Sequence, residues 1–370
     1  MLKKFFKPLF GIIFIAVVAI ISFFAFNNTD STEYVSSTLD FSRTENTYVL
    51  SEDNYEEQMT HTVEPFINSI TTSGYFTSSD NTNIYYEYYN ATNPKGSIVI
   101  SHGFTESLEK YVELIYYFIQ EGYNVYAVDH RGHGLSDRTS EDLSLVDVKD
   151  FNSYVTDLHQ FVSEIVMPTS GDLPLFLYAH SMGGGIGTRF LETYPDVFDA
   201  AVLTAPMLGI NLGGVPRFAA NLLSSSAVLF GQGTQYIISH SAFDGVADLE
   251  GSAASSAARF NYYFNKKLAH EYLRTNGASY SWLYESLKAT KNMLKPENIA
   301  KIETPILLFQ AENDSLVLPE PQRTLVSHAK DAELIFVPNA KHELYNTEND
   351  IFIPYLHAVF DFYEAHLTHN

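Results

Sequence analysis

Three side chains far apart in the chain, Ser181, Asp314 and His342, are of the types that nucleophilic catalysis needs. A serine hydroxyl attacks only when a base takes its proton, and a histidine base needs a carboxylate to fix its tautomer and stabilise the imidazolium. Ser181 lies in Ala179-His180-Ser181-Met182-Gly183, the pattern G-x-S-x-G with alanine in place of the first glycine. Small residues two positions either side of the serine suit a sharp strand-to-helix turn. Such a turn lifts the hydroxyl out of a sheet and sets a helix N-terminus beside the charge that forms on a substrate. A five-residue pattern also recurs by accident, and a glycine-rich helix start with an incidental serine is the plain alternative. The other two residues weigh against it. Asp314 sits in Gln-Ala-Glu-Asn-Asp-Ser just past the apolar run 305–310, and His342 in Pro-Asn-Ala-Lys-His-Glu just past the run 332–337. Glu312 is the rival for the acid. The order serine, acid, histidine is that of the strand-to-helix elbow enzymes, whose oxyanion hole takes the N–H after the nucleophile and one from an earlier strand end. Here those are Met182 and Phe104, the second in the turn Ser101-His102-Gly103-Phe104, where His102 is expected to brace the turn rather than react.

The elements that must position these residues follow from the periodicity. Apolar runs at 96–101, 124–128, 175–179, 200–204, 305–310 and 332–337 have strand length, and helical patterns fall at 107–120, 146–166, 186–194, 321–329 and 351–366. Continuous apolar strands alternating with helices imply an α/β class with a mostly parallel sheet covered on both faces. Sites in such sheets lie beyond the carboxyl ends of the strands, where Ser181, Asp314 and His342 are expected. Two aromatic-rich segments, 75–77 and 84–89, read as an opening hairpin. The alternation lapses over 207–296, where helical segments at 217–229, 252–272 and 280–294 suggest a helical lid without a convincing strand. The α/β core is then 71–206 together with 297–370.

Composition narrows the partners. With 44 acidic against 22 basic residues the formal net charge is −22, which argues against nucleic acid and anionic lipid head groups as preferred partners. The absence of cysteine excludes disulfides, thiol catalysis and cysteine-ligated zinc. Lys3, Lys4 and Lys7 precede an apolar run over 9–26 whose one polar member is Ser22. That run is long enough to span a bilayer, and Phe23, Phe24 and Phe26 at its exit do not suit signal cleavage. Residues 1–26 are therefore expected to be an uncleaved single-pass anchor with the catalytic domain extracytoplasmic, the alternative being secretion after cleavage. Residues 27–70, rich in Ser, Thr, Asn and Glu, read as a stalk with a short helix near 52–66. His130 and His133 beside Asp129 have a metal-like spacing, but Gly132 makes the segment a tight loop and no further ligands complete a site. Gly183 to Gly187 fail the G-x-G-x-x-G spacing of a dinucleotide site. No cofactor and no metal are expected.

From Gly74 to the end the chain resembles an α/β-hydrolase, specifically the serine aminopeptidase S33 or hydrolase-4 branch with its monoacylglycerol lipases and lysophospholipases. His102-Gly103-Phe104, the run from Asp129 to Ser136, Ala179 to Gly184, Asn313-Asp314 and Lys341-His342 carry the resemblance. It implies a serine hydrolase acting on esters of single-acyl lipids, and a structural part for the 129–136 loop. Amidase or aminopeptidase action, short-chain ester hydrolysis, and a silent receptor or scaffold are the alternatives. The apolar residues of the lid, Phe218, Leu222, Leu229 and Phe230 early and Phe260, Tyr263 and Phe264 later, are expected to line an acyl pocket, with Met207, Leu208, Leu212, Leu223, Val228 and Tyr262 alongside them. Arg217 is the one basic residue of the lid before Arg259, so a glycerol or zwitterionic head fits better than a strongly anionic one.

Overall fold

A computed structural model describes residues 34–46 and 48–367. The expected anchor, 1–26, and the first part of the expected stalk lie outside the described residues. In chain order the strands are β1 Val35–Thr38, β2 Thr71–Thr77, β3 Asn83–Tyr89, β4 Gly96–Ser101, β5 Tyr123–Val128, β6 Leu145–Val146, β7 Leu175–His180, β8 Ala200–Thr204, β9 Gly277–Ala278, β10 Ile306–Ala311 and β11 Ala332–Val337. The longer helices are α1 Val112–Gln120, α2 Asn152–Phe161, α3 Met182–Thr193, α4 Arg217–Leu229, α5 Ala257–Ala269, α6 Tyr280–Met293, α7 Pro319–His328 and α8 Asn349–Ala365.

Nine strands form one sheet in the order β1-β11-β10-β8-β7-β4-β5-β3-β2. β3 runs antiparallel to both of its neighbours, and every other pairing is parallel. The central strands are buried along their whole length because helices cover both faces. One face packs on α1 and α8, the other on α2, α3, α6 and α7. Successive parallel strands send their carboxyl ends to one edge, so the segments after β4, β7, β10 and β11 meet there.

The stalk reading does not hold for the described residues up to 70. β1 adds a parallel edge strand in register with β11, Val35 opposite Glu333 through Thr38 opposite Phe336. Residues 52–70 form one continuous helical run whose Tyr55, Met59, Val63 and Ile67 are buried against the α1 and α8 layer. The cause lies in the spacing: an apolar residue every fourth position drifts around a regular α-helix, and the wider turn at Met59–Val63 keeps the stripe aimed at the core. Other boundaries shift for local reasons. The helix expected from 146 starts at Asn152, because Val146 is taken up by β6 and the Asp150 carboxylate accepts from the Asn152 N–H at 2.9 Å. Within the lid, the 252–272 helix contracts to α5, capped by Ser256. The lid also contains a strand after all: β9 pairs with β6, Leu145 opposite Gly277 and Val146 opposite Ala278.

Candidate active site

Ser181 stands between the end of β7 and the start of α3 with φ 52° and ψ −117°. A non-glycine residue tolerates this only when its surroundings hold it there. The clamp is visible: the Ser181 N–H donates to the Thr204 carbonyl at 3.1 Å, and its carbonyl accepts from Met207 at 2.7 Å and Gly185 at 3.0 Å. A Cβ at Gly183 would collide with the backbone of Ser101 and come within 2.6 Å of the His102 carbonyl oxygen, so α3 can press against the oxyanion turn only with glycine there. The alanine at 179 has a matching accommodation. Its methyl would lie 3.2 Å from any Cβ at position 187, which is glycine.

His342, in the turn after β11, approaches the Asp314 Oδ2 with its Nδ1 at 2.6 Å. The other carboxylate oxygen of Asp314 accepts from the N–H groups of Leu316 at 2.8 Å and Val317 at 3.0 Å. Burial works against the Asp314 charge, but the histidine and these two N–H groups outweigh it and hold the carboxyl below its usual range. The rival Glu312 is exposed and turned away, accepting from the Asn339 N–H at 2.8 Å. On the far side of the imidazole, His342 Nε2 is buried and has no hydrogen-bond partner among the described residues. Ser181, Phe104 and His342 line a single cavity of about 390 Å³.

The N–H groups of Met182 and Phe104 donate to no acceptor among the described residues. The Phe104 turn is held from behind. His102 braces it, its Nδ1 lying 2.8 Å from the Gly103 carbonyl and its Nε2 accepting from the His130 N–H at 2.9 Å. Burial drives the His102 pKa down to about 4, so the ring is neutral. The 129–136 loop is structural: Asp129 accepts from Leu108 and Leu135, both at 2.8 Å, and His130 Nε2 lies 2.9 Å from the Ser101 hydroxyl. The described residues contain no group of three or more His, Asp or Glu placed to hold a metal.

Sequence reasoning missed a buried polar cluster beneath the oxyanion turn. Glu106 accepts from the Gly103 N–H at 2.7 Å, from Tyr111 at 2.7 Å, from Tyr345 at 2.5 Å and from Lys110 at 3.0 Å. Burial opposes its charge, yet Lys110, His180 and the two phenols keep the carboxyl ionised and well below its usual range. Lys110 also reaches Glu343, the residue after His342, at 2.6 Å, which ties the oxyanion turn to the histidine turn. The one available sequence signal was a Glu106–Lys110 pair at helical spacing at the opening of an apolar helix.

The later half of the expected lining, Phe260, Tyr263 and Phe264, does line the cavity, while the rest of the wall differs from expectation. Phe243 and Leu316 line it too, together with Lys267. Tyr262 turns away to bond Glu64. Met207 and Leu208 are core residues, and Leu212 packs against that core. Phe218, Leu222, Leu223, Val228, Leu229 and Phe230 do not enter the cavity; α4 turns its small residues Ala220 and Ser224 inward and leaves its large ones exposed, Phe218 at 74% and Leu229 at 80%. Arg217 is engaged in the lid itself, donating to the Leu287 carbonyl and the Thr290 hydroxyl.

Residues 92–350 match the family model described as serine aminopeptidase, S33. Lysophospholipase L2 of Escherichia coli K12 is 31% identical over 301 residues, covering 79% of this chain and 87% of that protein. The monoglyceride lipase homolog of Monkeypox virus is 31% identical over 274 residues, covering 74% of this chain and 91% of its own. Among solved structures, a soluble variant of monoglyceride lipase from Saccharomyces cerevisiae with a substrate analog superposes with a TM-score of 0.67 at 18% identity, covering 81% of this chain and 97% of that one. A sheet of this order, an elbow serine and a family match across most of its length place the chain in the S33 serine aminopeptidase family, as a hydrolase of the α/β-hydrolase fold.

Proposed function

We propose that the protein hydrolyses carboxylic esters of single-acyl lipids, lysophospholipid or monoacylglycerol, through an acyl-enzyme on Ser181. The observation that carries this reading is one cavity onto which the elbow serine, the Asp314-oriented His342 and a wall of aromatic side chains all open. Ser181 Oγ attacks the ester carbonyl while His342 Nε2 takes its proton, and the negative oxygen of the tetrahedral intermediate lies against the N–H groups of Met182 and Phe104. Collapse breaks the acyl–oxygen bond, and the departing alcohol takes the proton from His342. Water, deprotonated by the same nitrogen, attacks the acyl-enzyme and releases the fatty acid and Ser181. Each methylene of an acyl chain buried against the aromatic wall contributes about 0.8 kcal/mol to binding. The names of the relatives, lysophospholipase and monoglyceride lipase, support the substrate class.

Membrane attachment belongs to the same proposal: residues 1–26 as a single-pass anchor with the catalytic domain extracytoplasmic, secretion after cleavage being the alternative. Among the described residues no helix is long and apolar enough to cross a bilayer. Support comes instead from the exposed large side chains of α4, which suit contact with lipid. Membrane association that resists high salt is the expected behaviour, and release by salt contradicts it.

The deciding experiment is kcat/KM across p-nitrophenyl esters from two to sixteen carbons, then lysophosphatidylcholine, monoacylglycerol and an aminoacyl p-nitroanilide. The proposal expects an optimum at long or medium acyl chains with turnover of at least one lipid. An optimum at two to four carbons without lipid turnover refutes it, and preferred cleavage of the anilide establishes the aminopeptidase reading that the family description favours.

A further inference from the structure

The cavity above Ser181 holds charged groups that acyl transfer does not use. Lys267, on α5, donates to the Thr275 carbonyl at 3.1 Å and lies 4.8 Å from the centre of the Phe243 ring, but no carboxylate pairs with it among the described residues. Two nearby lysines do have carboxylate partners. Lys110 is held between Glu106 and Glu343, and Lys266 pairs with Glu64 and Glu109. In a chain with two acidic residues for each basic one, a half-buried lysine without a counter-ion inside a ligand cavity has a place for an anion. At the exposed rim of the same cavity stand Asp244 and Asp248. One oxygen of each carboxylate accepts a turn N–H, from Val246 and Gly251 at 2.9 Å, and neither is paired with a cation among the described residues. Phe243, whose ring the Lys267 ammonium overlies, and Phe260 line the same cavity.

We propose that Lys267, Asp244 and Asp248 form a head-group subsite for a zwitterionic phosphodiester, the lysine taking the phosphate and the rim carboxylates and aromatic faces taking the ammonium. Among the substrates of the ester hydrolase proposed above, on which this inference rests, the subsite selects a lysophospholipid over a monoacylglycerol. A glycerol head leaves the lysine charge uncompensated in a partly desolvated cavity. A phosphate compensates it, and an ammonium beyond the phosphate meets the carboxylates where water still reaches them. Burial, then repulsion from Lys110, lowers the Lys267 pKa to about 8, against the pull of Glu343 and Glu106, which agrees with a lysine whose partner arrives with the substrate.

The test uses the full chain in detergent micelles and reads a ratio, kcat/KM for palmitoyl-lysophosphatidylcholine over that for monopalmitoylglycerol, which does not depend on the fraction of folded enzyme. For Lys267→Met the ratio is expected to fall by about tenfold or more, the worth of one charge-assisted hydrogen bond, and Lys267→Arg is expected to restore most of it. Asp244→Asn combined with Asp248→Asn is expected to lower the preference for lysophosphatidylcholine over lysophosphatidic acid, which has no ammonium, by about threefold. A ratio for Lys267→Met within about twofold of the wild-type value overturns the subsite and leaves the hydrolase reading standing. So does a wild-type enzyme that cleaves monopalmitoylglycerol and spares lysophosphatidylcholine. A wild-type enzyme that cleaves p-nitrophenyl esters and neither lipid overturns the lipid reading and the subsite together.

Discussion

Asp314 shows how much of the site depends on one side chain. Its carboxylate spans the His342 Nδ1 on one oxygen and two backbone N–H groups on the other, so it fixes the imidazole tautomer while being fixed itself. Asp314→Asn keeps the size and the backbone contacts but presents an amide that favours the wrong tautomer, and kcat for a soluble ester is expected to fall by about 10⁴. Glu312→Gln, whose carboxylate serves only the Asn339 turn, is expected to stay within about threefold of wild type. Near-full activity in the first variant together with collapse in the second would reverse the assignment. These residues were legible in the sequence because each follows its own strand by a few positions, so local pattern located them. Glu106, Lys267 and Asp244 were not legible. Glu106 meets Tyr345, which lies 239 positions later, and Lys267 acquires its meaning only from the cavity that α5 helps to close.

At the scale of elements, the buried parallel strands β4, β5, β7, β8, β10 and β11 were read nearly to the residue because such strands are continuous apolar runs. By contrast, β1, β6 and β9 were not expected and β2 begins four residues earlier than expected; α4 matched its expected bounds of 217 and 229. The helical run before β2 was expected near 52–66, but its packing into the core was missed for a physical reason. Its buried stripe recurs every fourth residue, at 55, 59, 63 and 67, among Glu, Thr, Asn and Ser, a period between those of an α-helix and of a looser turn. α4 was misassigned in role rather than in type, since its small residues face inward and its large ones outward, the reverse of the usual amphipathic rule. A consequence separates the packed arrangement from a stalk. Met59 is 2% exposed in the core, so Met59→Ala is expected to cost about 2–5 kcal/mol and lower the melting temperature by several degrees. An unchanged melting temperature would return these residues to a stalk.

For the whole molecule, acid is the sensitive direction. Burial lowers the pKa of His102 and of His180 to about 4, and pushes His130 and His133 well below the ordinary value of 6.5. A histidine whose pKa is depressed by folding contributes its full stability above the unfolded value and loses it as pH falls through the folded one. Each such proton is worth about 1.4 kcal/mol per pH unit, so the melting temperature is expected to fall between pH 6.5 and 4. Asp129 and Glu192, both raised to about 7 by burial, and Glu87, raised for the same reason, act in the opposite sense, their stabilising share being lost as pH rises, so three carboxyls partly offset the four histidines. Relief of the −22 net charge on acidification also opposes the fall, and 1 M salt, with a screening length of about 3 Å, removes most of that term. A melting temperature that stays level from pH 6.5 to 4.5 in 1 M salt would contradict the neutral buried histidines. The central claim is chemical, that Ser181 is the nucleophile, and one measurement reaches it directly: the intact mass of the protein after exposure to a fluorophosphonate, for wild type and Ser181→Ala, alongside kcat for an ester. A single adduct on wild type, none on Ser181→Ala, and a loss in kcat on the order of 10⁴ to 10⁶ are expected. Equal labelling of the two proteins, or a variant that retains most of its turnover, would contradict the account.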